Sequence, residues 1–68
     1  MKLSQNVKKQ IIIRKINIRE LSKITGISTA NISDILNEKV VNPRIDTLVK
    51  FAEAFDMTID ELIGRKKN

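Results

Sequence analysis

The chain has no histidine and no cysteine. That removes the commonest general base, the thiol nucleophile and the usual zinc ligands. Eight carboxylates remain, but no pattern brings them into pairs, so neither acid–base catalysis nor a metal cage has candidate residues. The chemistry on offer is non-covalent. Thr29, Ala30, Ser33 and Asp34 fall on one side of a helix at about 100° per residue. Together they present hydroxyls, methyls and one carboxylate on short side chains. Around them in sequence stand Asn17, Arg19, Lys23, Ser28, Asn37, Lys39 and Arg44. Such a set can recognise a polar surface by hydrogen bonds and methyl contacts while its cations hold a polyanion in place.

Two short helices joined by a glycine turn must position this face. The first is predicted over Ile18–Thr25. Asn17 serves as its N-cap, and Glu20 three residues later completes a capping box. Gly26 supplies the positive φ that a helix C-terminus favours. The second is predicted over Thr29–Leu36 with Ser28 as its cap. Leu21 and Ile24 mark the inner side of the first helix, and Ile32, Ile35 and Leu36 the inner side of the second. Asn31 points partly away from the outer face. This is a helix-turn-helix pattern, whose second helix can lie in a DNA major groove.

Three further helices complete an all-α, five-helix domain over residues 1–64. One is predicted over Ser4–Lys15, with Leu3, Val7 and Ile11 on a shared face. Ile12 and Ile13 lie off that face, so either they are exposed or the helix ends early. Pro43 stops helical continuation after the second helix of the motif, and Val40 or Val41 is expected to tuck under the domain. A fourth helix is predicted over Ile45–Phe55, with Ile45, Leu48, Ala52 and Phe55 as its buried stripe. A fifth spans Ile59–Ile63, with Thr58 and Glu61 forming a T-x-x-E capping box and Gly64 ending it. The tail 65–68 is expected to be basic and disordered. A domain of this size buries only about 60% of its unfolded surface, and the Ile, Leu and Val content suits an efficient core.

Charge is distributed unevenly. Residues 1–44 carry nine Lys/Arg against three acids, whereas residues 45–63 carry Lys50 against five. The basic part contains the helix-turn-helix. With Phe51 and Phe55 as the only aromatics, base-stacking platforms for single strands are not expected. No apolar run reaches the roughly 18 residues that span a bilayer, and no signal-peptide pattern opens the chain. The expectation from composition is a soluble, intracellular protein.

The stretch from about Ile16 to Ile63 resembles the phage-repressor and Cro-like helix-turn-helix family, also called the xenobiotic-response-element or lambda-repressor-like type. The resemblance rests on Asn17-Ile18-Arg19-Glu20-Leu21, Thr25-Gly26-Ile27-Ser28, Ile32-Ser33, the Asn42-Pro43 turn and Leu48 through Leu62. It implies a compact five-helix domain that binds duplex DNA, usually as a two-fold dimer on a palindromic operator. It also implies a cytoplasmic, nucleoid-associated protein of prokaryotic or phage type. It places Thr29, Ala30 and Asp34 against bases, and Asn17, Ile18, Asn37, Lys39 and Arg44 against phosphates. Ile18 departs from the family, which often has a phosphate-bracing Gln there. Ile11 and Leu36 stand where many members pair an Arg with a Glu, an exchange of ion pair for apolar packing that is often neutral or stabilising. Gln10 replaces a commonly apolar residue.

On this reading the Thr29 hydroxyl bonds a base edge, methyls of Thr29 and Ala30 meet thymine, and Asp34 accepts from cytosine N4. Ser33 reaches a base or a phosphate. Arg19 and Lys23 join the phosphate anchors, and the caps Asn17 and Ser28 present free helix N–H groups to phosphate. Val49, Ile59 and Ile63 are the candidate homodimer surface, with Ile12 and Ile13 as a competing apolar patch. The expected function is sequence-specific regulation of transcription, as a repressor acting by operator occupancy. No ligand pocket, cofactor, metal or separate effector domain is evident. The alternative is a protein-interaction module on the same fold, an antitoxin-like or anti-repressor partner. Little affinity for any duplex would mark that case.

Overall fold

Local capping fixes most of the helix ends. The computed structural model describes residues 2–40 and 42–64. In it five helices follow one another: α1 (Leu3–Arg14), α2 (Ile18–Thr25), α3 (Thr29–Leu36), α4 (Ile45–Phe55) and α5 (Ile59–Ile63). The ends of α2 through α5 fall at the expected residues. At α2 the Asn17 side chain accepts from the Glu20 N–H at 2.8 Å, and the Glu20 carboxylate accepts from the Asn17 N–H at 3.2 Å. At α5 Thr58 and Glu61 make the same reciprocal pair, at 3.0 and 3.1 Å. Gly26 and Gly64 close these two helices in the left-handed region, each at φ 75°.

Helix α1 begins and ends one residue earlier than expected. Lys2 caps it without any side-chain bond, and Lys15 takes a left-handed conformation at φ 55°. No residue type announces either end, because a lysine is neither a preferred N-cap nor a preferred left-handed residue. The helix runs through Ile11-Ile12-Ile13, leaving Ile12 and Ile13 exposed. The tail expectation concerns residues 65–68, and that for Val41 a single position. Both lie outside the described residues.

The core draws on all five helices. Leu3 and Val7 from α1 meet Leu21, Ile32, Ile35, Leu48, Phe51, Ala52, Phe55 and Leu62, with Ile27 from the turn. Ile11, Leu36 and Val40 pack against it from partly buried positions. Three expectations need correction. Ile24 is 59% exposed and Ile45 is 69% exposed. Phe51, missing from the predicted stripe, is fully buried and stacks on Phe55 with ring centroids 5.9 Å apart. In α2 the inner position beyond Leu21 belongs to Thr25. Its hydroxyl donates to the Leu21 carbonyl at 2.8 Å and accepts from the Ile27 N–H at 3.1 Å. A threonine so satisfied can be buried at little cost, and the helix rotates Ile24 outward. In α4 the stripe is Leu48, Phe51, Ala52 and Phe55 at spacings of three, one and three, which leaves Ile45 on the outer flank.

The helix-turn-helix is braced from outside. Helix α1 packs on α3 and α5, and α2 packs on α3 and α4. The Asn6 amide donates to the carbonyls of Glu61 (3.2 Å) and Leu62 (2.7 Å), while the Lys2 N–H donates to the Ile63 carbonyl at 3.0 Å. At the other end of α1, the Arg14 guanidinium donates to the Phe55 carbonyl at 2.9 Å and lies 5.5 Å from the Phe55 ring centroid. These contacts satisfy the last carbonyls of α4 and α5, which have no partner inside their own helices.

Candidate nucleic-acid interface

Helix α3 owes its placement to its two ends. At the start, the Ser28 hydroxyl accepts from the Asn31 N–H at 3.1 Å, so the helix begins at Thr29 with its first turn open to solvent. At the finish, Glu38 adopts φ 58°, and the Lys39 N–H closes on the Asp34 carbonyl at 2.9 Å. This left-handed closure ends the helix and leaves Lys39 exposed just beyond it. Ile32 and Ile35 anchor the inner side in the core.

The outer face is open as expected. Thr29, Ala30 and Asp34 are exposed, and Ser33 is half-buried. Asn37 is exposed, and its amide donates to the Ser33 hydroxyl at 3.4 Å, so those two act as one unit. Asn31 is exposed but stands toward the loop at Asn42–Arg44 and the start of α4, off the outer face. Among the flanking groups, Arg19, Lys23 and Lys39 are exposed and carry no ion pair among the described residues. Arg44 is paired with Asp46 at 3.5 Å, with its side chain 86% exposed. A pair so wet contributes about 0–1 kcal/mol, and the guanidinium can leave it for a stronger anion. The oxygens of Asn17 and Ser28 are engaged in capping. Beside these caps, the helix N-termini present N–H groups to solvent, the arrangement that favours phosphate oxygens.

Residues 6–68 match the family described as the Cro/C1-type HTH DNA-binding domain. The chain belongs to this family. Two curated proteins are similar along its length. An uncharacterized HTH-type transcriptional regulator of Rickettsia prowazekii (strain Madrid E) is 32% identical over 68 residues, covering 96% of this chain and 74% of that protein. One of Rickettsia conorii (strain ATCC VR-613 / Malish 7) is likewise 32% identical over 68 residues, covering 96% of this chain and 62% of that protein. The chain therefore spans about three quarters and about three fifths of the two relatives. No solved structure gives a significant match. The Cro/C1-type domain and its all-helical, five-helix architecture make this chain a DNA-binding transcriptional regulator.

Within this Cro/C1-type domain, the candidate dimer residues divide. Val49 is 39% exposed, whereas Ile59 and Ile63 are half-buried against the core. Among the described residues no helix is long and apolar enough to cross a membrane. The structure also holds a feature the sequence does not announce. A shallow, open cleft of about 930 Å³ runs beside α3, between α1 and the start of α2, lined by Ile11, Ile12, Ile18 and Leu36 together with Lys8 and Arg19. Reading each helix separately hides it, because its walls come from three elements.

Proposed function

We propose that the protein is a cytoplasmic, nucleoid-associated repressor that binds a palindromic operator as a homodimer and acts by occupancy, without catalysis. The observation carrying this reading is the open, short-side-chained face of α3, bordered by exposed cations at both ends. Thr29, Ala30, Ser33 and Asp34 read bases. Asn17, Arg19, Lys23, Ser28, Asn37, Lys39 and Arg44 hold phosphates. Contacts of the first kind specify sequence, and those of the second set position.

The homodimer joins through Val49, Ile59 and Ile63. Val49 is open, and Ile45 one turn before it extends the exposed apolar stripe along α4. The acidic residues of α4 and α5 keep that side away from a polyanion. Two recognition helices then stand about 34 Å apart in successive major grooves. If each protomer neutralises about four phosphates, log affinity falls against log salt with a slope of about −7.

Selection of bound duplexes from a random pool tests the reading, and a palindromic motif is the expected product. Arg44→Ala should weaken binding to every duplex and flatten the salt slope by about one. Asp34→Ala should instead change sequence preference. A failure to bind any duplex at low salt would overturn the proposal and favour the protein-interaction alternative.

A further inference from the structure

The cleft beside α3 has a composition that phosphate contacts do not require. Four large aliphatic side chains, Ile11, Ile12, Ile18 and Leu36, line it beside the cations Lys8 and Arg19 and the neutral Asn17 and Thr29, with no acidic residue among them. Ile12 is 75% exposed and Ile13 beside it 59% exposed, an adjoining apolar pair of the kind that marks an interaction site when it forms part of a larger patch. A second, smaller cleft of about 390 Å³ adjoins the first through the shared residues Lys8 and Ile12. It extends along α1 to Ile13 and Lys9, again with no carboxylate in its lining. The two together make a shallow, open trough beside α1, with Lys8, Lys9 and Arg19 among its apolar side chains.

Phosphate would find little to bond within the aliphatic walls. A long apolar chain ending in an anion would satisfy both parts, with the hydrocarbon covering Ile11, Ile12, Ile18 and Leu36 and its head meeting Lys8 or Arg19. We propose that the trough along α1 binds an amphiphilic carboxylate, an aliphatic chain with a terminal carboxyl group.

The location gives such a ligand a consequence. Asn17, Arg19 and Thr29 line the same cleft, and all three belong to the proposed DNA surface. An anion at Arg19 competes with phosphate for that cation, so ligand and duplex exclude one another. This coupling rests on the DNA-contact assignment above, whereas the binding itself does not.

Decanoate, titrated below its micelle-forming concentration into the free full-length chain, is the probe. Methyl resonances of Ile11, Ile12, Ile18 and Leu36 are followed by NMR. The expected result is saturable shifts confined to these residues. Ile12→Gln and Lys8→Gln should each weaken binding at least fivefold, and decanol should bind more weakly than decanoate. Ile12 and Lys8 are exposed, and circular dichroism checks that both variants remain folded. Absence of saturable shifts overturns the proposal. So do shifts equally large at the exposed Ile24 and Ile45, or an affinity indifferent to Ile12→Gln. Because no DNA is present, the outcome is independent of whether the DNA reading holds. In a separate titration, decanoate should lower duplex affinity for the wild type and less so for Ile12→Gln.

Discussion

Arg14 belongs to the basic half of the chain, yet its surroundings assign it to holding the fold together. Its guanidinium reaches across the domain to the Phe55 carbonyl at 2.9 Å, receives support from the Gln10 side chain at 3.0 Å and covers the Phe55 ring. A hydrogen bond from a charged donor contributes about 1.5–3 kcal/mol, and the partial exposure here argues for the lower end. The cation–ring contact adds about 0.5–1 kcal/mol at an exposed site. Arg14→Ala should therefore cost about 2 kcal/mol. A domain of this length has a total stability of roughly 3–10 kcal/mol, so the loss is a large fraction. It corresponds to a fall in Tm of about 8–16 °C. Urea and thermal denaturation followed by circular dichroism would measure it. Arg14→Lys keeps the charge near the end of α1 but loses the planar fork, and should cost about half as much. Once corrected for the folded fraction, neither variant should alter the salt slope of DNA binding. A change in stability below about 0.5 kcal/mol, or a flattened slope, would refute the assignment.

Three other perturbations test separate parts of the structure. Glu61 is held below its ordinary pKa of 4.5, chiefly by the hydrogen bond its carboxylate accepts from the Thr58 backbone N–H, with the Thr58 side chain adding to the effect. Its stabilisation is present above that ordinary value and is lost as pH falls through the lower folded value. Acid titration of Glu61→Gln should lack this component of the stability loss. Asp46→Asn frees Arg44 from its 3.5 Å pair and should raise duplex affinity by about two- to fivefold, matching a pair of under about 1 kcal/mol. The same change should lower folding stability by about 0.3–1 kcal/mol, because Asp46 lies in the first turn of α4 near the positive helix end. Lys15→Gly removes a side chain held at φ 55°, and chemical denaturation should show a gain of about 0.5–1 kcal/mol.

Legibility in the sequence followed the location of the controlling interactions. Helices α2, α3 and α5 are punctuated by residues that act on their own neighbours, namely Asn17 with Glu20, Ser28, and Thr58 with Glu61. Their bounds could therefore be read directly. Helix α1 lacks such marks: its start is fixed by the Lys2 N–H reaching the distant Ile63 carbonyl, and its end by Lys15 entering the left-handed region, which lysine does not announce. Ile24 and Thr25 show a different limit. In a helix of eight residues two inward positions do not define a stripe, and hydropathy favours the isoleucine. The outcome depends on the Thr25 hydroxyl finding two backbone partners, one of them across the turn. The Leu48-Phe51-Phe55 pattern at spacings of three and four was available, and it marks Phe51 as internal without any structure. Of the candidate site, the outer face of α3 was visible as a helical pattern. The Arg44–Asp46 pair was only implicit, and the trough needed three helices to be assembled.

The clasp between the first helix and the last has a kinetic meaning. Asn6 leaves the ribosome more than fifty residues before its acceptors at Glu61 and Leu62, and Lys2 waits equally long for Ile63. The recognition surface in the middle of the chain is thus translated well before the brace that seats α1 can close. Contacts so distant in sequence delay the final step of folding, so competence to grip a duplex comes only when synthesis of this domain is complete.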